Sequence, residues 1–415
     1  MIHAASLDAL AAARRDGHWA VPLYEGFAFA QIPSLVASLF GDGSTAMAPD
    51  VVEASPRPRS VVVLLLDGFG WTFFERFADE LPFLRRIVRD GVATKLSAQF
   101  PSTTAAHVTT LHTGAAVGAS GVFEWQYLEP AVGEIFLPLP ALAVGEDGLR
   151  PVMPEPGSAY PPGTFYERLR AAGVRSFCYQ SARYARSTFS RAVTAGAEVV
   201  PFETLPEATV HLVERLESSR APTYHCVYVD VIDAISHRFG PDSRFASAEI
   251  RALFQLLEDR LSASVVGTDA LILITADHGH IAVDPRRTVY LDALCPDLID
   301  KLHLTAGGRP CAPAGSARDQ FLYVRPELVD EVHDELSAAL DGLATVHRTD
   351  ALVENGLFGQ VGPRLRDRLA PLVVLPHPHE MVWWSGGGRF EQAMWGHHGG
   401  LSPDELEIPL LAWRP

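Results

Sequence analysis

Three stretches constrain the fold more than anything else in this sequence: "SVVVLLLDG" at 60–68, "TYHCVYVDVID" at 223–233 and "DALILITADHGH" at 269–280. Each is a short apolar run that closes on polar residues. A strand with one wet face alternates in polarity, whereas a run that is apolar throughout has to be covered on both faces. Helical patterns lie between these runs, in "LPFLRRIVRDG" (81–91), "TFYERLRAAGV" (164–174) and "ASAEIRALFQLLEDRLSASV" (246–265), and "VRSFCYQ" (174–180) adds a weaker strand. This alternation predicts an α/β fold, a doubly wound and mostly parallel sheet with helices on both faces. A chain of 415 residues, 47% of them hydrophobic, is long and apolar enough for one such unit plus an inserted piece.

Two stretches break the pattern. Residues 128–162 are rich in Pro, Gly and small apolar residues and read as a lid or excursion. Residues 286–395 read as a smaller inserted α/β cap, with "DQFLYVRP", the helix "ELVDEVHDELSAALDG" and "ATVHRTD", followed by a second helix-rich part and the Gly-rich "WWSGGGRF". The predicted organisation is therefore a core of 1–285 and 396–415 with a cap subdomain at 286–395.

In open α/β sheets, ligands bind beyond the carboxyl ends of the strands. All three strong strands end in carboxylates: Asp67, then Asp230 and Asp233, then Asp277. Histidines accompany them. "ADHGH" sets His278 beside Asp277, and "DVIDAISH" puts His237 four residues after Asp233, on one face of a helix. "GHHGG" supplies His397 and His398. Carboxylate and imidazole together suit zinc or manganese. Singly these residues are ordinary: a strand-terminal Asp is often a helix cap, and Asp-x-x-x-His recurs on solvated helix faces. Their joint placement at strand ends favours a metal site.

"FPSTTAAHVTTLHTG" (100–114) reads as a helix start, with the hydroxyls of Ser102, Thr103 and Thr104 available as caps. A helix N-terminus also favours an anion, and a threonine hydroxyl beside a metal can be ionised to attack phosphorus. His107, His112 and His280 read as packing or supporting residues. Phe69, Trp71, Phe123, Trp125 and Tyr127 either line a substrate pocket or belong to the core.

The composition narrows the function classes. A net charge of −16 leaves no electrostatic footprint for nucleic acid or an anionic membrane. Cys178, Cys226, Cys295 and Cys311 form no CxxC pair, so neither a disulfide framework nor a thiolate zinc site is expected. The N-terminal stretch lacks a basic start followed by an apolar run, and a cytoplasmic protein is the expectation.

Taken together, "VVVLLLDGFG", "FPSTTAAHVTTLHTG", "DVIDAISHRFGP", "TADHGH" and "GHHGG" resemble, in the same order, motifs of the alkaline phosphatase superfamily, in its type I phosphodiesterase/nucleotide pyrophosphatase branch. The resemblance covers roughly 58–285 and 395–413. It implies two divalent metal ions, Zn²⁺ or else Mn²⁺. Asp67, Asp277, His278 and the nucleophile would hold one; Asp233, His237 and His398 would hold the other, with His397 as second choice. The nucleophile matches Thr104, with Thr103 as the alternative. The implied activity is hydrolysis of a small phosphodiester, nucleotide-like ones included, through a covalent phosphothreonine. Two metals and three carboxylates leave a formal charge of about +1, which suits a monoanionic diester. Nucleotide-hydrolysing members carry an asparagine where "GVFEWQY" has Trp125. This departure bears on the nucleotide substrate and leaves the two-metal chemistry intact. Phosphonate hydrolase and phosphomutase activity stand as alternatives; "HHGGLSPDELEIPLL" also resembles the C-terminal run of manganese phosphomutases, whereas "FPSTT" argues for the diesterase branch. A non-catalytic binding protein of this fold is the reading from a different class. A sulfatase is disfavoured because no Cys or Ser near residue 104 has the C/S-x-P-x-R context.

Overall fold

The structure, a computed structural model, describes residues 1–15, 19–52, 56–145, 148–155, 157–262 and 264–415. The three apolar runs form adjacent central strands of a seven-stranded sheet. In chain order its strands are β1 (Ser60–Leu66), β2 (Val92–Ser97), β3 (Arg175–Ser181), β4 (Glu198–Phe202), β5 (Thr223–Val229), β6 (Ala270–Thr275) and β7 (Glu407–Trp413). Their spatial order is β2-β7-β6-β1-β5-β3-β4, and only β7 runs antiparallel to the rest. Every residue of β1 and β6 is buried, as continuous apolar runs require.

Register places the site. β1 pairs in parallel with β6 from Ser60↔Ala270 to Leu65↔Thr275, and with β5 from Ser60↔Thr223 to Leu66↔Val229. The three strands therefore end level, and the residues that follow them emerge together at one edge of the sheet.

The expected helices are present as Pro82–Asp90, Phe165–Ala171 and Arg244–Leu261; residue 263, inside the expected 246–265 helix, lies outside the described residues. The stretch expected to end the second strand is divided: β5 stops at Val229 and a helix runs from Val231 to Phe239. Strands β2, β4 and β7 have no clear signal in the sequence. β7 even contains Pro409, which breaks the rule against proline in a central strand. The geometry resolves this: pairing of β7 with β6 begins at Leu410, so Pro409 faces only β2, opposite Lys95.

The Pro/Gly-rich excursion contains a four-stranded antiparallel sheet, Tyr127–Glu129, Glu134–Leu137, Leu142–Gly145 and Gly148–Pro151. Strands of three or four residues are too short to show a period. Residues 146, 147 and 156 of this stretch are outside the described set.

Residues 286–395 carry a second antiparallel sheet of Ala314–Ser316, Asp319–Leu322, Ala344–Arg348 and Leu372–Pro376, with the helix Val329–Ala339. Period-two alternation splits its faces. Leu322, Val346, Leu372 and Val374 join a separate cluster with Val332 and Leu336 of that helix. Phe321, Val373 and Leu375 point the other way, into the main core. This segment thus shares a hydrophobic interior with the large sheet.

His107, buried in this interior, is fully satisfied. Its Nδ1–H donates to Thr103 O at 2.7 Å, and its Nε2 accepts the Gln99 N–H at 2.7 Å. Protonating Nε2 would displace that donor, and burial lowers the His107 pKa from 6.5 to about 4. A folded pKa below the unfolded one means stability is intact above 6.5 and lost as pH falls towards 4, by up to about 3 kcal/mol. Thermal unfolding followed from pH 7 to 4 should show this loss, and the decline should be shallower in His107→Gln; identical slopes would contradict the assignment.

Candidate metal centre and active site

Asp67 is the residue after β1, and its N–H bonds Val229 O of the neighbouring strand at 2.9 Å. Asp277 follows β6 by two residues; its Oδ1 accepts the Gly68 N–H at 3.1 Å and the His278 N–H at 3.0 Å. Beyond β5, Asp233 and His237 occupy successive turns of the helix Val231–Phe239, with Asp233 Oδ1 3.2 Å from His237 Nε2. This is the one-face arrangement expected from their spacing. His398, in the glycine-flanked turn before β7, completes the group: its Nε2 is 3.1 Å from His237 Nε2 and 3.6 Å from Asp233 Oδ1. On the other side, His278 Nε2 lies 3.3 Å from Asp67 Oδ1 and 3.6 Å from Asp277 Oδ2.

The ring protons of these histidines are committed elsewhere. Nδ1 of His237 donates to Gly396 O at 2.8 Å, Nδ1 of His278 to Gly279 O at 3.1 Å, and Nδ1 of His398 to Ser102 O at 2.9 Å. A neutral imidazole carries one N–H, so in that form each Nε2 turns a bare lone pair into the centre; burial opposes protonation of His237, but Asp233 outweighs it and raises its pKa. With both rings neutral, the 3.1 Å approach of His237 Nε2 to His398 Nε2 would set acceptor against acceptor. Asp67 Oδ1 and Asp277 Oδ2 are buried there without any hydrogen-bond partner. Only a cation or added protons relieve such a set.

The charge balance agrees. Burial, then the charges of Asp277 and Asp233, hold Asp67 well above the ordinary carboxylate range. Burial and the neighbouring His278 and His237 hold His398 well below the ordinary imidazole range. Burial opposes ionisation of Asp233 too, but His237 and His280 outweigh it and keep its pKa well below normal. The possible ligand atoms of Asp67, Asp277 and His278 lie within 4.8 Å of one another, as do those of Asp233, His237 and His398. A third group, Asp233, His278 and His280, lies equally close and overlaps both; carboxylate oxygens and imidazole nitrogens without sulfur fit divalent ions such as zinc or manganese.

At the mouth of the first set, Thr104 Oγ1 is 3.2 Å from His278 Nε2. Thr103 turns the other way, its hydroxyl donating to Phe123 O at 2.9 Å. The expected capping by these hydroxyls does not occur. The helix Thr104–Thr113 has Thr103 at its N-cap with no side-chain cap bond, and Ser102 Oγ donates to Gly400 O instead. The first-turn N–H groups are thus left without side-chain acceptors, the condition for anion binding.

His397 is outside this group. It is buried, packs edge-on against His237, and places Nδ1 3.3 Å from His398 O. Asp230 pairs with Arg183 at 2.8 Å. His112 contacts Tyr166 Oη at 2.6 Å, a structural contact. Phe69, Trp71, Phe123 and Tyr127 are core residues, the reading that aromatics in such numbers favour; of the five, only Trp125 is exposed, at 48%.

Three supporting residues carry no strong sequence signal. Tyr228 donates its hydroxyl to Asp67 Oδ2, but as a strand residue it looks like any other β-former. Ser102 supplies the carbonyl that fixes His398, a role no side chain reports. His280, read as packing or support, places Nε2 2.9 Å from Asp233 Oδ1.

The chain is a phosphoric ester hydrolase, with Asp/His clusters that could hold metal ions. The model of the type I phosphodiesterase / nucleotide pyrophosphatase family matches residues 61–400, so the chain belongs to that family. Among solved structures, murine ectonucleotide pyrophosphatase / phosphodiesterase 5 superposes with a TM-score of 0.63 at 18% identity, over 86% of this chain and 88% of that one. Phosphonoacetate hydrolase from Sinorhizobium meliloti 1021, in complex with phosphonoformate, superposes with a TM-score of 0.62 at 18% identity, over 87% and 92%. No curated protein matches the chain. Among the described residues, no helix is long and apolar enough to cross a membrane.

Asp277→Asn and His278→Ala should each lower metal content, measured by elemental mass spectrometry on folded protein. Wild-type metal content in both would contradict the site.

Proposed function

We propose that this chain is a two-metal phosphodiesterase with Thr104 as nucleophile. Asp67, Asp277, His278 and Thr104 would hold one divalent ion, and Asp233, His237 and His398 the other. When bound, such ions stabilise charge on a phosphoryl group and lower the pKa of a hydroxyl beside them. The observation that carries the reading is the position of Thr104. Its hydroxyl lies against a bare imidazole lone pair at the first residue of a helix whose N–H groups lack side-chain caps.

The chain's own residues then have defined tasks. Thr104 Oγ1 sits 3.2 Å from His278 Nε2, beside the atoms that would hold the first ion, and with His278 Nε2 serving as a ligand its hydroxyl proton would leave to water. The uncapped first turn of the helix, with its positive dipole end, favours the phosphoryl oxygens. Attack forms the Thr104 Oγ1–P bond as the P–O bond to the leaving group breaks; the departing alkoxide takes a proton from water, and a phosphothreonine is left. Water then cleaves the Oγ1–P bond, and one difficult displacement becomes two easier ones.

A phosphonate hydrolase is the second reading. The observation that favours it is Trp125, exposed where nucleotide-hydrolysing members carry asparagine. Fold likeness to an ectonucleotide pyrophosphatase solved with AMP and to phosphonoacetate hydrolase is compatible with either substrate.

The test is hydrolysis of bis-p-nitrophenyl phosphate, p-nitrophenyl phosphate and phosphonoacetate by metal-stripped protein, before and after adding Zn²⁺ or Mn²⁺. Metal-restored preference for the diester is the expected result; preference for phosphonoacetate would select the second reading. Thr104→Ala should lower the restored rate by about 10³-fold or more, with Thr103→Ala within about tenfold of wild type. The reverse order would move the nucleophile by one residue.

A further inference from the structure

Two arginines from the 286–395 segment, Arg318 and Arg368, are among the largest fully buried side chains. Arg368 pairs with Glu129 and donates to Gly121 O and Ala159 O, tying the insertion to the four-stranded excursion. Arg318 reaches towards the metal centre. Its Nε and Nη2 meet Glu405 Oε1 and Oε2, both at 3.0 Å, and Nη1 donates to His377 O and Glu380 O. Glu405 uses its remaining acceptor capacity on the turn that carries His398. Oε1 takes the Gly400 N–H at 3.0 Å; Oε2 takes the Ser402 hydroxyl at 2.6 Å and its N–H at 3.3 Å.

A second grip comes from the same hairpin. Ser316 Oγ lies 3.2 Å from His398 O and 2.5 Å from Asp319 Oδ1. Gly399, at φ +123°, shows how close the hairpin comes: a Cβ there would lie 2.4 Å from Ser316 Oγ. From the opposite side the turn is held by Ser102, whose carbonyl takes His398 Nδ1–H and whose hydroxyl takes the Gly399 N–H at 3.1 Å.

We infer that Arg318, with Ser316 and through Glu405, is a positioning residue for the metal centre: the insertion clamps the turn that aims His398 Nε2 at His237 and Asp233. This rests on the two-metal reading. A buried ion pair adds little stability over well-packed apolar residues, because desolvation offsets its attraction; what it provides is one defined geometry. Arg318 makes the geometry specific, since a planar guanidinium meets a carboxylate through two parallel bonds and lysine does not.

The experiment is Zn²⁺ affinity of the full chain by competition with a fluorescent chelator, with far-UV circular dichroism and thermal unfolding in parallel. The variants are Ser316→Ala, Arg318→Lys, Arg318→Met and the double variant Arg318→Met/Glu405→Met. The double variant leaves no unpaired buried charge and keeps the test available where the single variant misfolds. Wild type is expected to bind two Zn²⁺. The double variant is expected to fold but to bind one of the two at least tenfold more weakly, with Arg318→Lys intermediate and Ser316→Ala weakened less. Loss of melting temperature with both Zn²⁺ affinities at wild-type values in every folded variant would overturn the inference and leave the two-metal reading standing. A wild type that binds no Zn²⁺ would overturn both.

Discussion

The structure depends on where the imidazole protons sit. Gly396 O, Gly279 O and Ser102 O each take the Nδ1–H of one histidine, so the neutral imidazoles of His237, His278 and His398 present bare Nε2 atoms to Asp67, Asp277 and Asp233. Such a constellation is unfavourable by itself. It brings together acceptors and like charges in a region where water cannot reach Asp67 Oδ1 or Asp277 Oδ2. Two divalent cations would turn these unfavourable contacts into ligand bonds, and the carbonyls would fix the tautomer such cations need. The parallel sheet makes the constellation possible, because three strands in level register deliver their terminal residues to one edge.

The second requirement is rigidity of the loops that carry the candidate ligands. His398 and Thr104 are remote in sequence, yet Ser102 stitches their loops together through its carbonyl and its hydroxyl. The inserted sheet adds its own hold. One of its faces is continuous with the main core, through Phe321, Val373 and Leu375, so force applied at Ser316 and Arg318 is backed by packed interior. A segment that reads in the sequence as an interruption is, in three dimensions, a wall of the site.

The sequence made the site's chemistry legible and hid its mechanics. Asp67, Asp233, His237, Asp277 and His278 stood out because carboxylates and imidazoles rarely gather by chance at the ends of several buried strands. Thr104 and Thr103 could not be separated in sequence, since both fit a helix start; the fold distinguishes them by sending one hydroxyl to Phe123 O and the other to His278. His397 and His398 are likewise adjacent, and only the turn decides which Nε2 meets that of His237. Support through backbone carbonyls leaves no trace in residue type, so Gly279, Gly396 and Ser102 were invisible as acceptors. Long-range pairs such as Arg318 with Glu405, 87 residues apart, were equally so. Strands β2 and β7, at one side of the sheet, were missed for another reason: Lys95 and Pro409 break the apolar run, and tertiary pairing overrides local preference there.

The measurement that tests the account most directly is anomalous diffraction at the zinc edge from crystals grown with Zn²⁺. The account predicts two peaks, one bounded by Asp67, Asp277, His278 and Thr104, the other by Asp233, His237 and His398. A structure with the three Nε2 atoms bridged by protons or water, and with zinc absent or bound elsewhere, would contradict it.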